Sequence, residues 1–471
     1  MKMPHKLVIV SHEHVLCKAG LFMSKNPAMS CFVIGEGSYG LVVKTGLDAC
    51  KVFLEEDDKP QRDDLRLKHS PFPTYLKEIE PCVLIELNAL KLLESCEHVV
   101  HATQVDYVKV QGLEESRMAY TMPLAMCDLS NLGRLSVSEC AQMLHETASA
   151  LAHAHSVGIM HCDIKPQNIL VFMNNGRKTF KLADFGIAQF DFTDVYACKE
   201  RNADVVTVQY RAPELCAQAS KYSAKVDVFS LGVVLLEALT SQDLIVKGKT
   251  DADVYAFWSR AFDMEETTFK DLRDNKPCPK ESMPHTQMGR RMFFRGRCPA
   301  AVGKDGIDLL MNMLHPDPEK RCTAHDVLRH PFLAHIEKRV PMVVDNECSA
   351  LSTNLTRKNT SVEHAIEYSK ALSWISSMDG GPNGPFGAHA ASVLYRFMST
   401  LEVEVKSVLK YAFVCFALVQ KAFYNSESTL EYFCPDESSK FEPALRLLIK
   451  LELEVVRALD FKVLQHNVKL L

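Results

Sequence analysis

Between His161 and Glu214 the chain carries, in order, HCDIKPQNIL (161–170), KLADFG (181–186) and VVTVQYRAPE (205–214). Moving a phosphoryl group from ATP to a hydroxyl asks a protein for little covalent chemistry. It needs a carboxylate to receive the hydroxyl proton, a cation beside the moving phosphate, and oxygen ligands for Mg²⁺. Asp163 stands as that carboxylate, Lys165 as the cation, and Asn168 and Asp184 as the metal ligands. Each fragment alone is weak evidence, since DFG recurs by chance and a lone HxD usually closes a loop. Order and spacing together give them meaning.

A second phosphate-handling stretch lies upstream. IGEGSYGLVV (34–43) is a glycine-rich turn between apolar, strand-like flanks, and Gly35, Gly37 and Gly40 let backbone approach phosphate oxygens that side chains would keep away. A GxGxxG alone also suits a dinucleotide fold. The residues after Gly40 discriminate: the pattern runs into a second strand holding Ala49 and Lys51, eleven residues past Gly40, instead of opening a helix. These motifs resemble the eukaryotic protein kinases. The resemblance implies an α+β fold, bilobal, with a β-rich N-lobe and an α-rich C-lobe, and ATP and Mg²⁺ as cofactors. It assigns ATP contacts to Ile34, Gly35, Glu36, Gly37, Ser38, Tyr39, Gly40, Val42, Ala49, Lys51, Met122, Ala125, Asp128 and Leu170. Met122 falls behind the adenine pocket, Ala125 at the hinge backbone and Asp128 near the ribose; Ile34, Val42, Ala49 and Leu170 are equally compatible with ordinary core positions.

Other elements must position these groups. Lys51 needs a helix-borne carboxylate, and IELNALKLL (85–93) reads as an amphipathic helix with Glu86, Leu90 and Leu93 on one face. Glu78 and Glu80 are rivals without that apolar spacing, and Pro81 suits the helix start. The charged, proline-broken segment 54–77 reads as a solvated insertion or a partner-docking element. Strands are expected at Leu7 to Val10, 107–110 and 118–122, and a long helix from Ser138 to His155. Asp227 is placed to cap the catalytic-loop backbone, and Arg321 to pair with Glu214.

VVTxxYRAPE with DPxKRxTAxxxLxHPF is similar to the cyclin-dependent and MAP kinase group, whose members phosphorylate Ser or Thr followed by Pro. Thr207 marks a Ser/Thr enzyme, and Thr207 and Arg211 fall in the loop that receives the substrate. Three positions depart. Cys162 replaces the usual Arg before the catalytic Asp, Asn202 stands at the activating phosphothreonine, and Gln209 replaces the usual Trp. A loop ordered without phosphorylation is the simplest account of the first two, with Thr193 and Tyr196 the phosphorylation sites that would contradict it. Ser38 and Tyr39 stand where relatives receive inhibitory phosphates.

After a polar stretch the last third turns helical. SWISSM (373–378), YRFMS (395–399), ALVQKAFY (417–424) and ELEVVRALDFKV (452–463) resemble, in order, elements of a cyclin box. That resemblance makes Lys421 and Glu452 the polar contacts to the kinase, while the family's internal Arg–Asp pair falls on Tyr368 and Tyr395. The expected organisation is a kinase domain at 28–333 (N-lobe 28–125, C-lobe 126–333), a linker at 334–362, and an all-α cyclin-like domain at 363–471. It implies a kinase with its activator tethered in cis, acting on protein substrates, with an external cyclin or kinase as a further partner. The alternatives are a kinase-fold scaffold, a helical module that binds partners in trans, and a swapped dimer.

Composition fits this reading. At 471 residues and about 150 per domain, roughly three folding units are expected, and 47% hydrophobic residues can fill their cores. A net charge of −5 implies neither nucleic acid nor an anionic membrane surface as partner. The 16 cysteines form no CxxC pair, which fits a reducing compartment. The longest apolar runs, such as 411–419, fall short of the roughly 18 residues of a membrane span. The first fifteen residues carry His12, Glu13 and His14 where a signal peptide needs an unbroken apolar core. The expected location is therefore intracellular, in nucleus or cytoplasm, and those of the host if the genome is viral.

Overall fold

The computed structural model describes residues 6–10, 29–37, 40–54, 66–69, 79–110, 116–190, 207–219, 222–240, 250–262, 291–336, 362–378, 387–401, 403–404, 407–424, 441–460 and 463. Strands β1 (Lys6–Val10), β2 (Met29–Gly37), β3 (Gly40–Thr45), β4 (Asp48–Phe53) and β5 (Arg66–His69) precede helix α1 (Pro81–Leu92). Strands β6 (Gln104–Val110) and β7 (Ser116–Pro123) come next, and the seven strands close into a barrel ordered β1-β2-β3-β4-β7-β6-β5. The expected strand at 7–10 is β1, antiparallel to β2 and parallel to β5.

Two expectations need correction here. The segment 54–77 is not wholly a solvated insertion, because β5 lies within it and pairs with β6, Leu67 opposite Val110. Nor is α1 amphipathic. Every residue from Val83 to Leu90 is buried, Glu86 and Asn88 included. A helix apolar all round is covered on all sides, and part of the cover comes from a helix more than 300 positions away in sequence. The helix does begin at Pro81, where a missing N–H costs nothing.

Past the barrel come β8 (Cys127–Asp128) and α2 (Val137–Ser156), a residue longer at each end than expected. A capping box starts α2: the Ser136 hydroxyl accepts from the Glu139 N–H, and the Glu139 carboxylate accepts from the Ser136 N–H. Strands β9 (Ile159–Met160), β10 (Ile169–Asn174), β11 (Arg177–Leu182) and β12 (Gln189–Phe190) form two small sheets, β11-β10-β8 and β12-β9. Helices α3 (Pro213–Cys216), α4 (Lys225–Thr240), α5 (Asp251–Phe262), α6 (Gly303–Met313) and α7 (Ala324–Arg329) succeed them. The α4 helix is buried nearly throughout, and Gly232 lets it approach closely, since a Cβ there would stand 2.9 Å from the Leu314 side chain.

The four helical patterns of the last third appear as α8 (Val362–Met378), α9 (Gly387–Thr400), α10 (Val408–Tyr424) and α11 (Phe441–Ala458). The α10 helix is central, packing on α8, α9 and α11, and Trp374 stacks on Phe413 with ring centroids 5.2 Å apart. It also packs on α1. The chain divides into two compact units: Met1–Leu92 with Val100–Ala125 and Ser349–Leu471, and Leu93–Val99 with Met126–Cys348. The C-terminal helices thus share a unit with the barrel.

Candidate active site

In the second unit the segment 161–168 is held from below by one buried carboxylate. Asp227, in the first turn of α4, accepts the N–H groups of His161 (2.9 Å) and Cys162 (2.8 Å) and pairs with His155 Nε2 at 2.9 Å. Burial works hardest against its ionisation. The hydrogen bond and charge of His155, the charge of His161 and the Cys162 N–H outweigh that and hold the carboxyl below its usual range. Cys162 adopts φ 62°, a left-handed backbone that an interior thiol gains only when its surroundings impose it.

Above this cap the functional side chains converge on Asp163. Its Oδ2 accepts from Lys165 Nζ at 2.6 Å and Asn168 Nδ2 at 3.0 Å, and its Oδ1 from the Thr207 hydroxyl at 2.7 Å and amide at 3.2 Å. Lys165 also reaches the Thr207 hydroxyl at 3.2 Å. Thr207, expected in the substrate loop, is attached to Asp163 directly. Because Asn168 Nδ2 is committed to Asp163, its Oδ1 remains as an acceptor. The Ala183 N–H donates to the Asn168 carbonyl at 2.9 Å, bringing the residue before Asp184 beside Asn168, and Asp184 stands at φ 65°. Asn168 Oδ1 and the Asp184 carboxylate are oxygen donors of the kind a hard cation such as Mg²⁺ takes.

Arg211 is 7% exposed, and its Nη1 donates to both carboxylate oxygens of Asp251, at 2.7 and 2.9 Å. Asp128, expected near a ribose, caps a short turn: its carboxylate accepts from the Asn131 amide at 3.1 Å, the Asn131 side chain at 2.8 Å and the Ser130 hydroxyl. Leu170 pairs with it across β10 and β8. Glu214 and Arg321 form the expected bidentate pair at 2.6 and 2.9 Å, with side chains 3% and 0% exposed. Removing one partner of such a pair leaves a buried charge uncompensated. Glu214→Gln should lower unfolding free energy by about 3–5 kcal/mol in a denaturant titration; a loss under about 1 kcal/mol would show the pair to be dispensable.

In the first unit Lys51 Nζ donates to both oxygens of Glu86, at 2.8 and 2.7 Å, and the side chains are 10% and 0% exposed. Glu86 is thus a partner of Lys51, as expected. Tyr120 completes the group, its hydroxyl donating to Glu86 Oε1 at 2.8 Å. Sequence reasoning missed Tyr120, though a period of two counted back from Met122 finds it. Register places it opposite Lys51, and Met122 opposite Ala49. Gly40 has φ 154°, and a Cβ there would meet the Val52 carbonyl at 2.1 Å, so no side chain fits. Gly35 and Glu36 pair with Val42 and Leu41, and Gly37 with Gly40; Ile34 is 51% exposed. Ala125 is half-buried beyond the end of β7. Ser38, Tyr39, Glu78, Thr193, Tyr196 and Asn202 lie outside the described residues.

The same unit holds a second buried ion pair. Lys421 Nζ on α10 donates to Glu452 Oε1 on α11 at 2.5 Å, and both residues are 0% exposed. They grip the backbone of one residue just before α1: Lys421 Nζ donates to the Ile79 carbonyl at 3.3 Å, and the Ile79 N–H donates to Glu452 Oε2 at 3.1 Å. Nothing in the sequence near Ile79 announces this contact.

The family model for the protein kinase domain matches residues 32–333. The chain belongs to the protein kinase family. The protein kinase fold accounts for the sheet-rich and helical parts described above, an α+β class. The chain is similar to mitogen-activated protein kinase 2 of Oryza sativa subsp. japonica, 29% identical over 262 residues that cover 54% of this chain and 63% of the relative, so it spans less than two thirds of that protein. It is also similar to mitogen-activated protein kinase 4a of Physcomitrium patens, 29% identical over 309 residues, 62% of this chain and 75% of that one. Among solved structures, a chain of the CAK complex from Chaetomium thermophilum bound to ATP-γ-S aligns over 65% of this chain and 91% of its own length, with TM-score 0.49 and 23% identity. Among the described residues, no helix is long and apolar enough to cross a membrane.

Proposed function

We propose that this kinase-family chain transfers the γ-phosphate of ATP to Ser or Thr of proteins, in the manner of a cyclin-dependent kinase, with α8–α11 as a cyclin-like activator carried in cis. Asp163 receives the proton of the acceptor hydroxyl, and its four hydrogen-bond donors fix the carboxylate's direction. Lys165 places a cation beside the transferred group. Lys51, oriented by Glu86, binds phosphate oxygens, while Asn168 Oδ1 and Asp184 hold Mg²⁺. Bound Mg²⁺–ATP supplies the phosphoryl group and offsets its charge. The relatives named above are mitogen-activated protein kinases by name, which supports a Ser/Thr acceptor; Gln209 makes the preference for a following Pro a matter for peptide assays.

The grip of Lys421 and Glu452 on the Ile79 backbone carries the activator reading. These are the two residues that the cyclin-box resemblance singled out. Tyr368 and Tyr395, at the positions of that family's internal ion pair, are near enough that the charge of Tyr395 would oppose ionisation of Tyr368, and burial is the larger reason that the Tyr368 phenol lies above its usual range. By the cyclin-box resemblance, these two neighbouring tyrosines fall at the positions of an Arg–Asp pair.

An unphosphorylated preparation of the full chain should phosphorylate a Ser-Pro peptide, because Cys162 offers no cation for a loop phosphate to engage. The check is peptide phosphorylation after phosphatase treatment. Activity that appears only once Thr193 or Tyr196 carries phosphate would overturn the phosphate-independent part of the reading.

A further inference from the structure

The contact at Ile79 lies before the first turn of α1, yet the last helix also reaches its other end. α11 closes with Asp460 in the left-handed conformation (φ 48°), its N–H donating to the Arg457 carbonyl at 3.0 Å. Asp tolerates that backbone better than most residues. So placed, its carboxylate accepts from Lys91 Nζ at 2.8 Å, and Lys91 is the basic residue of the last turn of α1. One turn back along α11, the Arg457 guanidinium stands over the ring of Tyr107 on β6, 5.6 Å from its centroid. Burial is the main reason that the Tyr107 phenol lies above its usual range; Glu452 adds to the shift and the Arg457 charge opposes it.

We propose that Arg457 and Asp460 form a second latch, whose binding surface is the C-terminal end of α1 together with Tyr107. It rests on the activator reading and deepens it: the helix bearing Glu86 is held at both ends by one C-terminal helix. The geometry gives the reason. Glu86 lies seven residues past Ile79, roughly 10 Å along a helix rising about 1.5 Å per residue. If α11 held α1 at Ile79 alone, a swing of about 10° against the packing of α10 would carry Glu86 by about 2 Å at that lever arm, enough to part it from Lys51. An ion pair at Lys91, five residues on the other side, opposes the swing, by the modest amount a pair with Asp460 66% exposed can contribute. Arg457 and Asp460 are thus positioning residues that act through Glu86.

Charge exchange in the full chain tests this. Lys91→Glu and Asp460→Lys, made singly, should each speed hydrogen exchange of the α1 amides about fivefold and lower peptide phosphorylation in proportion. The double exchange should restore both, as it must if the two charges act by facing each other, while the unfolding midpoint, which a merely structural role would move, stays near the parent's in every variant. Tyr107→Leu should behave as the single variants do, and Tyr107→Phe, which keeps the ring face, as the parent. Glu452→Gln is measured beside them. If Glu452→Gln loosens α1 but the single variants do not, or if the double exchange fails to rescue, the second latch is wrong. If Glu452→Gln also leaves α1 protected, the activator reading itself has failed.

Discussion

A chain ended at Leu333 should phosphorylate a Ser-Pro peptide at least about a hundredfold more slowly than the full chain, a difference of about 2.7 kcal/mol in activation. In α1 the residues from Val83 to Leu90 are all buried. Truncation takes α10 from its surface and removes both partners of the Ile79 backbone. The Lys51–Glu86 pair then rests on a helix with an uncovered apolar face. Such a truncation also risks poor folding, so the sharper variant is Lys421→Met in the full chain. It strands Glu452, 0% exposed, as an unpaired buried carboxylate, and removing one partner of a buried pair costs about 3–5 kcal/mol. Replacing both partners costs less than replacing one, so Lys421→Met with Glu452→Leu should recover part of the lost activity. Equal rates for the full chain, the truncation and Lys421→Met would assign α8–α11 some other task.

The second large effect is at Asp163. Asp163→Asn should lower single-turnover phosphate transfer by about 10³-fold, within the range of about 10²–10⁴ for loss of a positioned base. ATP affinity should be nearly unchanged, since Lys51, Asn168 and Asp184 remain. The amide can still accept from Thr207 through one atom, but its NH₂ group faces the donors Lys165 and Asn168, so some loss of order in the loop accompanies the loss of the base. A kinase-fold scaffold would bind its partners equally well with either residue. Unchanged transfer in Asp163→Asn would remove Asp163 from the chemistry.

Legibility of these groups in the sequence tracks their separation along the chain. Asp163, Lys165 and Asn168 lie within six residues, and loop geometry at that distance is nearly determined by spacing. Glu86 was separable from Glu78 and Glu80 because apolar periodicity and Pro81 located its helix. By contrast, the length of chain between Ile79 and Glu452 is 373 residues, and no local pattern encodes a contact so remote. The same distance explains why α1 reads as amphipathic: nothing nearby in sequence says that a further helix covers its outer face. Strand β5 escaped notice because RLKH offers one apolar residue in four, and its partners β1 and β6 supply the pairing. Asp251, Tyr120 and Tyr107 are joined to their partners by folding alone. Lys421 and Glu452 were legible only through resemblance, since each shares its own helix with at least one other charged residue.

The interleaving of the two units has a consequence for synthesis. The second unit lies almost wholly within residues 93–348, whereas the first needs both its early strands and Ser349–Leu471. At about 5–20 residues per second, Ile79 waits roughly 20–75 s on the ribosome for Glu452 to be made. During that interval the Asp163 loop can already be folded while α1 still lacks its cover. On the activator reading proposed above, a nascent chain of this kind carries its phosphate-transfer groups before it can align Glu86, and a chain released early by a premature stop would be idle.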